Sequence, residues 1–158
     1  MNNLFSKKYI KFIAITLLIA IFFMLDRYFK LLAITSFADS SYILINNLLS
    51  FTFTANNYIA FSLPFSGPIL NILIGLIIGF LVFYLYYSIR KEYNLLLIIG
   101  FLLILAGAIS NFIDRITMSY VTDYIYLKNF TVFNLADVYI SSGALLSIIS
   151  LNKKPSSK

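Results

Sequence analysis

Between Ser40 and Ile89 the chain carries no charged residue, and Tyr93–Ile113 is a further uncharged run of 21 residues. Runs of this kind fix the solvent before anything else about the fold. At 1.5 Å per residue, 21 helical residues span about 32 Å, the thickness of a bilayer's hydrocarbon core. Asn129–Leu151 is a third apolar run, holding the single charge Asp137. A fourth, Phe12–Leu25, is entered from Lys7, Lys8 and Lys11 and meets Asp26, Arg27 and Lys30 at its far end. The 158 residues are 61% hydrophobic and only 11% charged, whereas soluble domains carry about 25% charge. A chain this short has too small a core to hide such a surplus. A soluble enzyme, a disordered chain and a nucleic-acid-binding domain are therefore excluded.

The expected architecture is an all-α membrane protein, a single integral domain over 1–158 with four transmembrane helices at about 10–32, 69–89, 93–113 and 134–151. Pro64 and Pro68 break the chain before the second helix. The stretch at about 37–65, rich in Thr, Asn, Phe and Tyr, reads as a small extended or sheet-like outer segment. A polar outer connection is expected at about 116–131. The first apolar run has a basic start, but Asp26-Arg27-Tyr28-Phe29-Lys30 follows where a cleavage site would need small neutral residues. It is expected to remain as helix one.

Charge placement orients the bundle. With the N-terminus inside, eight basic residues (Lys7, Lys8, Lys11, Arg90, Lys91, Lys153, Lys154 and Lys158) fall on the cytoplasmic side. Arg27, Lys30, Arg115 and Lys128 fall outside. This satisfies the positive-inside rule with both termini cytoplasmic. The carboxylates sort oppositely: Glu92 is inside, while Asp26, Asp39, Asp114, Asp123 and Asp137 lie outside. Along the helices Asp26 lies about 22 Å from Lys11, Asp137 about 24 Å from Lys153 and Asp114 about 33 Å from Glu92. All three thus belong to one band at the outer boundary, where an unpaired carboxylate costs on the order of 1–3 kcal/mol.

The chain has no cysteine and no histidine, so thiol nucleophiles, sulfur-built zinc sites and histidine bases are excluded. Hydrolysis would fall to carboxylates, lysine or hydroxyls. Asn111-Phe112-Ile113-Asp114-Arg115 closes the third helix, and Phe133-Asn134-Leu135-Ala136-Asp137 opens the fourth. Asp26 and Lys30 stand four residues apart, Asn56 through Phe61 forms a further string, and Val121 precedes Asp123 by two. Together with four spans, these strings resemble the lipoprotein signal peptidase (signal peptidase II) family of membrane aspartic peptidases.

The resemblance implies Asp114 and Asp137 as the catalytic pair, with Asn56, Asn111, Arg115 and Asn134 binding or orienting substrate and Asp26, Lys30 and Asp123 giving structural support. It implies lipid-modified prolipoprotein substrates, cut before the diacylglyceryl-cysteine. Also implied is a bacterial cytoplasmic (inner) membrane location with the site at the outer face. Membrane lipids are the other expected partners; a monomer is expected, with no nucleic acid, cofactor or metal. The sequence departs from the family at Tyr58, which leaves Asn56 or Asn57 to fill the asparagine position, at Ala106 and Ser110 in place of glycines, and at Arg27 and Phe29.

Two neighbouring carboxylates can cleave an amide by activating water, one ionised as base and the other protonated. Asp137, in the first turn of helix four, meets free N–H groups that favour the anion, whereas Asp114 meets the carbonyl end of helix three. Asp137 is thus the expected base and Asp114 the expected proton carrier. Each string also has a purely structural reading: Asn134 as an N-cap, Arg115 with Asp114 as an interfacial pair, and Asp26 with Lys30 as an i,i+4 pair. An inactive family member serving as a membrane scaffold and a small carboxylate-lined transporter are the alternative functions. The topology is directly testable, because the chain is free of cysteine. A cysteine introduced at Ser157 should resist an impermeant thiol reagent applied to intact cells and react once the membrane is opened.

Overall fold

The computed structural model describes residues 2–46, 48–57, 67–91 and 94–152, with side chains described from residue 10 onward except that of residue 11. Four helices dominate: α1 (Asn2–Ser36), α2 (Pro68–Arg90), α3 (Leu95–Met118) and α4 (Leu135–Asn152). All four are long and apolar enough to cross a membrane. Their ends follow local chemistry. Pro68 starts α2, where its missing N–H costs nothing. The Asn94 side chain accepts from Leu96 N at 3.0 Å and caps α3. Ser119, in the left-handed region at φ 66°, ends α3.

Two boundaries differ from those the sequence suggests. Helix α1 runs from residue 2 to 36 rather than 10 to 32, because lysines at its start and Phe29–Ser36 at its end are compatible with continuous helix. Helix α3 continues past Asp114 to Met118. The connection that follows is not merely polar: Val121–Leu127 (β3) and Val132–Phe133 (β4) pair with Tyr42–Ile45 (β1) and Leu49–Asn56 (β2) in one antiparallel sheet of order β1-β2-β3-β4. The β2–β3 register shifts between Phe51 and Thr54, so the alternation of Phe51 and Phe53 with Ser50, Thr52 and Thr54 does not divide β2 into a buried and an exposed face. Stacking of Phe51 on Tyr124 (ring centroids 5.6 Å) and Phe29 against Tyr124 (5.9 Å) ties the sheet to α1. The stretch 58–66, which holds Tyr58 and most of the string running to Phe61, lies outside the described residues.

Burial is inverted relative to a soluble protein. Ile72, Leu76, Phe80 and Phe83 of α2 are exposed, while Asp26, Lys30, Ser110, Asp114 and Asn134 are buried. Without a hydrophobic drive between lipid-bathed helices, close packing of small residues and buried polar contacts must hold them. The most extensive helix pairing, α3 on α4, is built this way. Gly100 and Gly143 face one another so closely that a Cβ on Gly100 would lie 2.8 Å from the Gly143 carbonyl oxygen. At Gly107 a Cβ would strike the Ala136 carbonyl and lie 2.8 Å from Ile140 Cγ1.

Gly107→Ala should therefore push the start of α4 away and destabilise the protein by about 1–3 kcal/mol. Gly79, on an open face with nothing within 4 Å of a Cβ, should tolerate alanine with unchanged or higher stability, since alanine is about 1 kcal/mol better in a helix. Melting of both variants in detergent checks the contrast.

Candidate active site

The chain has five aspartates, and four of them converge where the sheet meets the helix ends. They form two groups with different surroundings.

The first group is an ion cluster between α1 and α3. Asp26, Lys30 and Asp114 are at most 1% exposed. Lys30 Nζ lies 3.2 Å from Asp26 Oδ2 and 2.9 Å from Asp114 Oδ2. Arg27 pairs with Asp114 Oδ1 and also donates to the Ser110 carbonyl at 3.3 Å. The remaining capacity of these carboxylates is spent on neighbouring backbone N–H groups and hydroxyls. Asp114 Oδ2 accepts from Thr122 N at 3.1 Å. Asp26 Oδ1 accepts from Ala136 N at 3.1 Å and from the Tyr124 hydroxyl at 2.9 Å, and its Oδ2 accepts from Ser110 Oγ at 2.6 Å. Burial, then the charge of Asp26, pushes the Tyr124 hydroxyl up, which keeps it a donor.

The second group holds Asp123 and Asp137. Asn134 caps α4: its Oδ1 accepts from Asp137 N at 2.9 Å while Asp137 Oδ2 accepts from Asn134 N at 3.2 Å, the reciprocal pattern of a capping box. The Asn134 amide also donates to Asp123 Oδ1 at 2.7 Å, and Asn56 donates to Asp123 Oδ2 at 2.9 Å. Asn111 donates to Asp137 Oδ1 at 2.9 Å. Asp123 and Asp137 are thus bonded to one asparagine and act electrostatically on each other. Burial and then the negative charge of Asp137 push the Asp123 carboxyl up to about 7, against the opposing donors Asn56 and Asn134.

A cavity of about 640 Å³ opens on the second group only. Asn56, Asn111, Arg115, Asp123 and Asp137 form its polar end, and Ile74, Ile77 and Leu81 of α2 line its apolar side. The pairing expected from the strings is therefore not the one brought together. Asp114 faces α1 and is held by Arg27, Lys30 and Thr122 N, while Asp123, expected as support, lies beside Asp137. Helical geometry explains the difference. At about 100° per residue, Asp114 is turned some 60° from Asn111 toward Ser110, and Arg115 about 40° the other way. The continuation of α3 to Met118 also removes Asp114 from the helix terminus that was expected to bias its proton.

Asn134 lies fully buried behind the cavity, and Asp26 and Lys30 remain paired as the i,i+4 spacing suggests. Tyr124 stands in no recognisable string, and Ser110 and Arg27 stand out in the sequence as departures from the family pattern, Arg27 also as an outer-side charge. The signal for Ser110 was its position one turn before Asp114 on the same helix face.

The geometry has parallels in known proteins. A family model described as signal peptidase (SPase) II matches residues 18–153. The lipoprotein signal peptidase of Staphylococcus haemolyticus is 35% identical over 159 residues, covering 97% of this chain and 99% of its own. That of Caldicellulosiruptor bescii is 38% identical over 124 residues, covering 78% and 81%. A solved structure described as a bacterial membrane enzyme obtained by the in meso method at 2.3 Å superposes with a TM-score of 0.77 at 31% identity, over 93% of this chain and 96% of the other. With sequence and backbone agreeing along nearly the whole length, this four-span chain belongs to the signal peptidase II family.

Proposed function

We propose that the chain removes signal peptides from lipid-modified prolipoproteins, cutting before the diacylglyceryl-cysteine with water activated by Asp123 and Asp137. The observation that carries this reading is that these two are the only carboxylates lining the cavity among the described residues. The family supplies the substrate class: its relatives are lipoprotein signal peptidases. The cavity has the matching character, with an apolar wall beside two acids at the end of the spans.

Charge balance supports a shared proton. Asp26, Asp114, Asp123 and Asp137 are accompanied by Arg27, Lys30 and Arg115, whose charge acts on Asp123, Asp137 and Asp114. Four carboxylates against three cations become neutral when one carboxyl holds a proton. Arg27 and Lys30 already balance Asp26 and Asp114, so the proton falls to the cavity pair. Ionised Asp137 takes a proton from water as its oxygen bonds to the scissile carbonyl carbon. The Asp123 proton passes to the carbonyl oxygen, giving a neutral tetrahedral intermediate. Collapse breaks the C–N bond, with Asp137 returning its proton to the leaving amine and the intermediate hydroxyl returning one to Asp123.

Asp114 then acts by position. It holds Thr122 N, immediately before Asp123, as Asp26 holds Ala136 N, immediately before Asp137. On this reading the bundle orients the site to the outer membrane face, as the charge distribution suggests.

Cleavage of a lipidated prolipoprotein by the purified protein in detergent is the test. Asp123→Asn and Asp137→Asn should each lower kcat by about 10²–10⁴-fold with the fold retained. Asp114→Asn should instead lower stability, by about 3–5 kcal/mol, because it takes from buried Lys30 one of its two carboxylates and from Arg27 its carboxylate partner. Full activity in Asp123→Asn or Asp137→Asn would contradict the dyad.

The pH dependence has a definite sign. The Asp123 carboxyl is raised from 3.8 to about 7, so its proton is present below about 7 and lost above. Cleavage should fall by on the order of tenfold per pH unit on the alkaline side. The contribution of Asp123 to stability is likewise complete below about 4 and disappears as pH rises through about 7. Rate and melting profiles between pH 5 and 9 check both, with the change in melting absent from Asp123→Asn.

A further inference from the structure

Lys30 does more than pair with its neighbour on α1. Its Nζ donates to Asn111 Oδ1 at 2.7 Å, a shorter contact than either of its carboxylate pairs. An ammonium has three protons and no acceptor. The Asn111 oxygen must therefore face Lys30, since the flipped amide would set donor against donor. With the oxygen fixed, the Asn111 nitrogen is turned to Asp137 Oδ1 at 2.9 Å. The same oxygen accepts from Asn134 Nδ2 at 3.2 Å, and that nitrogen also donates to Asp123 Oδ1 at 2.7 Å. One buried cation thus sets the direction of a hydrogen-bond chain that ends on both cavity carboxylates, although it does not itself line the cavity.

We propose that Lys30 is a positioning residue for the reaction, which acts through Asn111 to aim an amide donor at Asp137 and hold it as the anionic base, leaving the shared proton on Asp123. The inference rests on the Asp123–Asp137 dyad proposed above. Donation to the anion and a nearby positive charge both favour ionised Asp137. Among the described residues, the groups whose charge bears on Asp137 are Lys30 and Asp26 from α1, Arg115 from α3 and Asp123 from β3. The α2 side of the cavity offers only apolar residues, Ile74, Ile77, Ile78 and Leu81. Lys30 and Arg115 are thus the cations in this set, and Lys30 is coupled to Asp137 through a single amide, that of Asn111.

The experiment measures kcat and KM against pH for a synthetic diacylglyceryl-cysteine peptide, using full-length protein in detergent. Three variants are compared with the parent: Lys30→Met, Asn111→Asp and Asp137→Asn. Asn111→Asp keeps an oxygen acceptor for Lys30 but puts a carboxylate where the donor to Asp137 stood, so it tests the Asn111 end of the relay if Lys30→Met fails to fold. In Asn111→Asp, and in Lys30→Met if folded, the acidic limb of kcat/KM should move up by about one pH unit, with kcat at least tenfold lower and KM within about threefold of the parent. An acidic limb unmoved in folded Asn111→Asp overturns the role of Lys30 while leaving the dyad intact. Parental cleavage by Asp137→Asn overturns the dyad on which the role depends.

Discussion

The ion cluster in which part-exposed Arg27 joins buried Asp26, Lys30 and Asp114 is the interaction on which the rest of this molecule depends. Charges withdrawn from water are costly, and here they are matched two against two and saturated with further hydrogen bonds. The saturation is what builds the site. Asp26 reaches from α1 to the first turn of α4, and Asp114 reaches from α3 to the start of β3. Each grips the backbone one residue before a cavity aspartate. The carboxylates that hold the fold and those that face the cavity are therefore different groups, and the first pair fixes the second through backbone only one peptide away.

The membrane environment explains why so much polarity is concentrated in one place. Lipid gives no reason for apolar helices to associate, so their faces can remain exposed while polar and small residues meet inside. The glycine contacts of α3 with α4 bring the two helices close enough for Asn111 to reach Asp137. At the sheet end, β2 brings Asn56 to Asp123, and the Phe29–Tyr124–Phe51 stack seats the sheet on α1. The site thus draws on α1, α3, α4 and the sheet.

Four helices, the extended segment after the first and the gathering of aspartates at one end were legible in the sequence, because charge-free length and charge placement are one-dimensional properties. So was Asn134 as an N-cap, since capping is local. Partnership among the aspartates was less legible. Asp114 and Asp137 sit in the most recognisable strings, but the direction of each side chain depends on helix phase and on where α3 ends. A helical projection of Ser110–Arg115 separates the α1-facing side from the cavity-facing side, so part of this information was present. The pairing of β2 with β3, which carries Asp123 to Asn56, joins segments 67 residues apart, and no local pattern specifies it. Arg27, a departure from the family string, gains its role only once α1 and α3 are side by side.

Asp114 is committed to the ion cluster, and on the proposed mechanism the titratable proton belongs to the Asp123–Asp137 pair. Carboxyl-region infrared difference spectroscopy of the purified protein, taken across the pH range around 7, reads that proton directly. A protonated-carboxyl band that is present near neutral pH in the parent, retained in Asp114→Asn and lost in Asp123→Asn is the result expected. A band that survives in Asp123→Asn and disappears in Asp114→Asn would assign the proton to the cluster and contradict the account.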